Sequence, residues 1–90
     1  MTGAVVRATV RVQVLIHARP CARIARAAGR HPARAVVRSP RGEADPRSVL
    51  ELLLLEAQPG ELLTIEARGP DAQALVDAIA DELARAVQEE

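Results

Sequence analysis

The sequence predicts one α+β domain in which helices cover a single face of an antiparallel β-sheet. Ninety residues suffice for one hydrophobic core and are too few for two. Segments with a period of two alternate with amphipathic helical segments in the order β-α-β-β-α-β-α. Each strand pattern has one polar face, so helices are expected on the other face alone. No repeat or linker interrupts the chain, and residues 1–90 are interpreted as a single domain.

The first strand and helix are predicted from an alternation and a proline. Residues 8–14 alternate, and their inward positions are Ala8, Val10, Val12 and Val14. Pro20 suits the first turn of a helix, because the N–H that proline lacks has no acceptor there. The helix is expected to bury Ile24, Ala25 and Ala28 and to end at Gly29. Three side chains are expected to point away from that buried face: Arg23, Arg26 and Arg30.

The middle of the chain contains two strands and a short helix. Ala35 and Val37 form the inward face of the second strand, and a turn at residues 40–42 leads into a short third strand. Ser48 begins the second helix, and Glu51 completes a capping box with it. In that motif the serine hydroxyl accepts the Glu51 N–H, and the glutamate reaches back to the Ser48 N–H.

The C-terminal part predicts the last strand and the longest helix. The inward residues of the strand are Leu63, Ile65 and Ala67. Residues 69–71, Gly-Pro-Asp, precede a helix whose apolar stripe is Leu75, Ile79, Leu83 and Val87. The chain has no aromatic residue, so the core is expected to be aliphatic throughout.

Charge is distributed unevenly, although the net charge is zero. Residues 1–47 hold ten arginines and two acidic residues, whereas residues 48–90 hold two arginines and ten acidic residues. The basic half attracts an acidic or phosphate-bearing partner, or the two halves attract each other within the fold. Four arginines are predicted on the outer face of the sheet and interpreted as solvated, with an acidic-protein or nucleic-acid surface as the alternative: Arg7, Arg11, Arg34 and Arg38.

Composition also excludes several classes of protein. One cysteine cannot form an internal disulfide or a four-cysteine zinc site, and neither a metal nor a cofactor is expected. No signal-peptide pattern opens the chain, and the longest apolar run is too short to span a bilayer, so a cytoplasmic protein without membrane insertion is expected. Without aromatic side chains to stack on bases, a nucleic-acid partner is not expected.

The candidate site lies where the first strand meets the first helix. Pro20 places His17 just before the helix N-terminus, where free N–H groups and the positive end of the dipole favour an anion. A histidine is nucleophilic in its neutral form, and Arg19 is close enough in sequence to bind a phosphate. The alternative is a surface histidine that merely caps the helix.

This stretch resembles the active centre of the HPr phosphocarriers of the bacterial phosphotransferase system. His17-Ala18-Arg19-Pro20 matches the family's His-x-Arg-Pro motif, and Arg47-Ser48 before a hydrophobic helix matches its regulatory serine segment. The turns at residues 59–60 and at Gly69 also correspond. The resemblance extends from about residue 8 to residue 83 and implies an open-faced β-sandwich of four antiparallel strands with three helices on one face.

The resemblance also implies a function without independent turnover. His17 would accept a phosphoryl group on Nδ1 from enzyme I and donate it to enzyme II A domains in sugar transport, with Arg19 as the neighbouring cation. Ser48 would be the site of a serine kinase and phosphorylase, and the protein is expected to be a monomer. Partner enzymes would dock on the first two helices at Ala18, Ala22, Arg23, Arg26, Val49, Leu50 and Leu53. The carbohydrate and nitrogen-regulatory branches are not distinguished.

Several residues depart from the family pattern or have a simpler interpretation. Leu15 and Glu56 stand where the family commonly has glycine. With Leu15 in place, the loop before His17 is expected to avoid the backbone conformations reserved for glycine. Cys21 is interpreted as a packed side chain and His31 as a solvated one, and Ser48 is either a regulatory site or only a helix cap. Besides the phosphocarrier, a regulatory interaction module with the same fold and an arginine-rich nucleic-acid binder remain as alternatives.

Overall fold

The computed structural model describes the backbone of residues 5–88 and the side chains of residues 5–86. Four strands and three helices follow one another in the predicted order. The strands are β1 (Val5–Arg11), β2 (Arg34–Ser39), β3 (Gly42–Ala44) and β4 (Leu62–Arg68). The helices are α1 (Ala18–Ala28), α2 (Val49–Leu54) and α3 (Ala72–Gln88). No helix among the described residues is long and apolar enough to cross a membrane.

The sheet is antiparallel throughout, with the strand order β1-β4-β2-β3. Strand β4 lies between β1 and β2, so Ile65 pairs with Ala8 on one side and with Val37 on the other. The three helices pack together and against one face of the sheet, and the opposite face stays open to solvent. This arrangement confirms the predicted open-faced sandwich.

The core lies between the sheet and the helices and is entirely aliphatic apart from Cys21. Its largest fully buried aliphatic side chains include Val37 and Ile65 from the sheet and Leu75 and Ile79 from α3. Leu83 of the predicted α3 stripe is also buried, whereas the side chain of Val87 lies outside the described residues. Burial of each such side chain contributes about 1.5–3 kcal/mol.

The first strand begins and ends earlier than the alternation predicted. Ala8 and Val10 face the core as expected, and Val6 continues the same face, but β1 ends at Arg11, because its pairing with β4 ends at the Arg11–Leu62 pair. Val12 is buried beyond the end of the strand. The alternation in the sequence therefore continues past the last residue of β1 that is in register with a residue of β4.

The two departures at glycine positions have different outcomes. Among the described non-glycine residues, only Glu56 has a positive φ, at 50°, so its backbone keeps the left-handed conformation that glycine adopts freely. Leu15 lies in ordinary backbone with its side chain exposed. At Gly69, by contrast, φ is 122° and an added Cβ would lie 3.3 Å from the Cα of Ala33, so this turn requires glycine.

Candidate functional site

The chain leaving β1 is held by the turn that precedes β4. The Val12 N–H donates to the Glu61 carbonyl at 2.8 Å, and the Gly60 N–H donates to the Val12 carbonyl at 2.7 Å. Arg11 Nη1 donates to the Gly60 carbonyl at 2.7 Å. These bonds fix the start of the segment that carries His17 to the first helix.

His17 occupies the N-cap position of α1. Its backbone is extended, with φ −114° and ψ −169°, and its carbonyl accepts the Cys21 N–H at 3.3 Å. The imidazole makes no capping hydrogen bond, and the residue is exposed. A histidine that merely caps the helix, the simpler interpretation, would accept a helix N–H through its imidazole, and His17 does not.

The first turn of α1 leaves donors available to an anion. The N–H groups of Ala18 and Arg19 have no acceptor inside the helix, because the first turn of any α-helix lacks carbonyls in front of it. Pro20 has no N–H, and no acidic residue lies in this turn. The helix end beside His17 is therefore electropositive and uncompensated by its own side chains.

Arg19 supplies the nearest cation in sequence. The residue is exposed, and its guanidinium forms no hydrogen bond or ion pair with any part of the chain that the structure describes. His17 and Arg19 thus both stand at one helix end with side chains open to solvent. A phosphoryl group on the imidazole could accept hydrogen bonds from the free amides and from this guanidinium.

Cys21, in contrast, is fully buried, as its interpretation as a packed side chain predicted. Burial raises the pKa of its thiol to about 11. Desolvation thus keeps the thiol protonated.

The seven predicted docking residues are exposed to different degrees. Ala18, Ala22 and Arg26 are exposed, but Arg23 is only partly so, since its Nε donates to Glu82 Oε1 of α3 at 3.1 Å. Arg23 was expected to point away from the buried face of α1, but its guanidinium packs towards α3, because the acid it binds lies 59 residues further along the chain.

On α2, Val49 and Leu53 are half-buried against the core, whereas Leu50 is 66% exposed. Leu54 is 67% exposed and extends the same surface, although it was not among the predicted docking residues. Its position four residues after Leu50 puts the two side chains on one helix face, a spacing from which it could have been predicted. Leu50 and Leu54 are called the α2 apolar patch below.

Ser48 is the N-cap of α2, and half of the predicted capping box is present. Its hydroxyl accepts the Glu51 N–H at 3.1 Å. The Ser48 N–H donates instead to the Asp45 carbonyl at 2.9 Å, and the Glu51 carboxylate accepts the Asp45 N–H at 2.8 Å. The reciprocal half of the box was wrong, because the turn before the helix already satisfies the Ser48 N–H.

His31 is not the solvated residue that the sequence predicted. Its Nδ1 lies 2.8 Å from Asp71 Oδ2, and Asp71 Oδ1 accepts the Ala33 N–H at 3.0 Å. Arg47, beside Ser48, also binds here through hydrogen bonds to the carbonyls of His31 and Ala33. This cluster ties the start of α3 to the loop after α1, so the role of His31 is structural.

The charge asymmetry of the two halves is partly used inside the fold. Arg7 binds Glu66, Arg23 binds Glu82, and Arg41 binds Glu61, each pair joining the basic half to the acidic half. The internal-attraction interpretation therefore holds for these side chains.

Comparison with known proteins gives the family. A family model described as the PTS HPr component phosphorylation site matches residues 6–85. The multiphosphoryl transfer protein of Xanthomonas campestris pv. campestris is 43% identical over 61 residues, which is 68% of this chain. The chain spans only 7% of the length of that relative.

Solved structures give the same fold. The phosphocarrier protein HPr of Bacillus anthracis superposes with a TM-score of 0.80 at 26% identity, covering 88% of this chain and 96% of that one. HPr-C-His of Thermoanaerobacter tengcongensis superposes with a TM-score of 0.78 at 21% identity, covering 97% and 98%.

Proposed function

Because the chain belongs to the HPr family of the phosphotransferase system, we propose that it is a phosphoryl carrier with His17 as the accepting residue. The observation that carries the proposal is the start of α1, where an exposed imidazole without a capping bond stands beside unused N–H groups and the free guanidinium of Arg19. The other described histidine, His31, is bonded to Asp71 and has no such surroundings.

The proposed transfer is a nucleophilic displacement on phosphorus. The lone pair of neutral His17 Nδ1 forms the new N–P bond, and the bond between phosphorus and the donor breaks with its electrons left on the donor atom. The helix N–H groups and Arg19 would stabilise the charge on the phosphoryl oxygens. Handing the group to an acceptor reverses these steps, so the chain is regenerated and has no turnover of its own.

The partners and the location follow from the family resemblance. Phosphorylated enzyme I is the proposed donor, and enzyme II A domains of sugar transport are the proposed acceptors, in the cytoplasm. The docking surface proposed for them combines Ala18, Ala22 and Arg26 of α1 with the α2 apolar patch, since an exposed apolar cluster on a small domain usually marks an interface. Ser48 is proposed as a regulatory phosphorylation site.

Phosphorylation with and without a partner tests the carrier. Labelled phosphoenolpyruvate with enzyme I should give an acid-labile, base-stable label that is lost in His17→Ala and kept in the matched variant His31→Gln. Phosphoramidate, which needs no enzyme, should phosphorylate the same residue, observed by ³¹P NMR. Label retained on His17→Ala would contradict the role of His17. Phosphorylation by phosphoramidate alone would keep the chemistry and exclude the tested enzyme I as donor.

A second candidate, a regulatory module that acts only by binding partners, is favoured by the α2 apolar patch. In both functions Leu50→Glu should weaken binding to a partner without lowering the melting temperature, because Leu50 is mostly exposed. Leu62→Glu is the control, since Leu62 is 47% exposed but lies on the sheet. The two functions differ in the label, because only the carrier takes up a phosphoryl group on His17 from phosphoenolpyruvate and enzyme I. A large loss of stability in Leu50→Glu would show that the side chain belongs to the core.

A further inference from the structure

The open face of the sheet carries more positive than negative side chains. Five arginines point outward from β1, β2 and β4, and the acidic residues that share this face are Glu43 and Glu66. The outward arginines are Arg7, Arg11, Arg34, Arg38 and Arg68.

Both acids on this face are already paired. Arg7 binds Glu66 at 2.6 Å, and Arg38 binds Glu66 at 3.2 Å and Glu43 at 2.7 Å. The hydrogen bonds from Arg7 and Arg38 lower the pKa of Glu66, which keeps it ionised. Arg11 donates a hydrogen bond to the Gly60 carbonyl. Arg34 and Arg68 are left over, and neither forms a hydrogen bond or an ion pair through its side chain within the described part of the chain.

These two arginines lie directly opposite each other. Arg34 of β2 and Arg68 of β4 are register partners in the antiparallel pairing, so their side chains leave the same face of the sheet. Like charges in this position repel and destabilise the pair. A bound anion would remove that repulsion.

The surface between them is concave. A cleft of about 340 Å³ is bounded by Arg34, Arg68, Arg38 and Glu66, with the half-buried Val36 in its floor. Glu66 would repel an anion, but the two arginines bound to it offset its charge. The cleft is open to solvent, and its volume is large enough for a small ligand.

We propose that Arg34 and Arg68 form an anion site on the open face of the sheet that binds the phosphate group of a small soluble phosphate monoester. Two guanidinium groups on neighbouring strands present planar pairs of N–H donors, which match the oxygens of a phosphate dianion in bidentate geometry. A single carboxylate would pair with one guanidinium group and leave the other unpaired. The positive charge of that second guanidinium therefore favours a phosphate dianion over a carboxylate.

This site is separate from the proposed phosphorylation site. Arg68 pairs with Val5 at one end of β1, whereas His17 follows the other end at Arg11, which is about 20 Å away along the strand. The helices and His17 also lie beyond the opposite face of the sheet. The anion site does not depend on the carrier function, and the two proposals can fail independently.

NMR titration tests the site through the arginine side chains. Inorganic phosphate and glycerol 3-phosphate would be titrated at constant ionic strength in a sulfonate buffer, following the Nε–H resonances. Saturable shifts are expected for Arg34 and Arg68, with at least five-fold weaker binding in Arg34→Gln and in Arg68→Gln. Arg30→Gln, a substitution of an exposed arginine in the turn after α1, is the matched control and should bind like the wild type.

The alternatives give different results. Shifts that rise linearly with added phosphate and do not saturate, or that persist unchanged in both glutamine variants, would overturn the site. Tighter binding of an oligoglutamate peptide than of glycerol 3-phosphate would assign the face to an acidic protein and would equally overturn the proposal. Both variants should fold, because each removes one of two like charges, and circular dichroism checks this.

Discussion

Both α1 and α2 have a polar residue at the N-cap position, but only the residue at α2 caps its helix through its side chain. At α2, the Ser48 hydroxyl accepts the Glu51 N–H, and the Glu51 carboxylate is bound to the Asp45 N–H. At α1, the imidazole of His17 caps nothing, and no acid stands in the first turn. One helix end is satisfied by its own chain, and the other is left open.

The difference shows how a small domain can reserve a site for a ligand. A satisfied helix end is stable and has little affinity left for an anion, whereas an open end keeps its donors and its dipole for one. Only part of the first turn of α1 is open to solvent, since His17 is exposed while Cys21, four residues later, is buried. Four experiments test the contrast between the two helix ends.

The largest effect is expected at Cys21. Because burial raises the pKa of its thiol to about 11, the thiolate at pH 8 should be about 100-fold rarer than for an ordinary cysteine. Alkylation by iodoacetamide should therefore be at least 100-fold slower in the native protein than in urea, measured by mass spectrometry. Rapid native alkylation would mean that the open helix end, rather than burial, controls this thiol.

The next effect concerns Arg19. Arg19→Ala should slow phosphoryl transfer to His17 on the order of 10- to 100-fold, because a charge-assisted contact to the phosphoryl oxygens is lost. Rapid-quench measurements with phosphorylated enzyme I would show this, with Arg30→Gln as the control. Equal rates would assign Arg19 to the solvated surface and leave the helix amides as the only donors to the phosphate.

The two capping positions should differ in stability. Ser48→Ala should lower the free energy of unfolding by about 1 kcal/mol, since the Glu51 N–H loses its acceptor. His17→Ala should change it by less than about 0.5 kcal/mol, because no capping bond is removed. Urea unfolding of both variants measures the contrast. A similar loss for both would erase the distinction between the two helix ends.

The smallest effect is expected from phosphorylation of Ser48. A phosphate there would gain from the first-turn N–H groups, but the Glu51 carboxylate lies in the same turn and repels it. Arg47 is engaged by the carbonyls of His31 and Ala33 and would have to leave them to compensate. We expect phosphoserine to stabilise Glu51→Gln more than the wild type, by a few tenths of a kcal/mol. This substitution keeps an oxygen acceptor for the Asp45 N–H.

Thermal melts of the four forms decide this last case. An equal gain from phosphoserine in the wild type and in Glu51→Gln would show that repulsion by Glu51 is unimportant.

The sequence predicted what depends on neighbours along the chain. Alternation identified the inward faces of β1 and β4, Pro20 located the first turn of α1, and the Ser48–Glu51 spacing predicted the hydroxyl bond that the structure contains. Each of these features depends on backbone geometry and side-chain polarity over a few consecutive residues, so it can be predicted from the local sequence. The placement of His17 at the start of α1 belongs to the same group.

Features that depend on a distant partner are visible only in the folded chain. His31 meets Asp71 across 40 residues, Arg23 meets Glu82 across 59, and the end of β1 is set by where β4 stops pairing. The same holds for Arg34 and Arg68, whose opposition exists only because β2 pairs with β4 in this register. The partner of such a side chain depends on which surfaces the fold brings together. The spacing of residues along the chain does not contain that information.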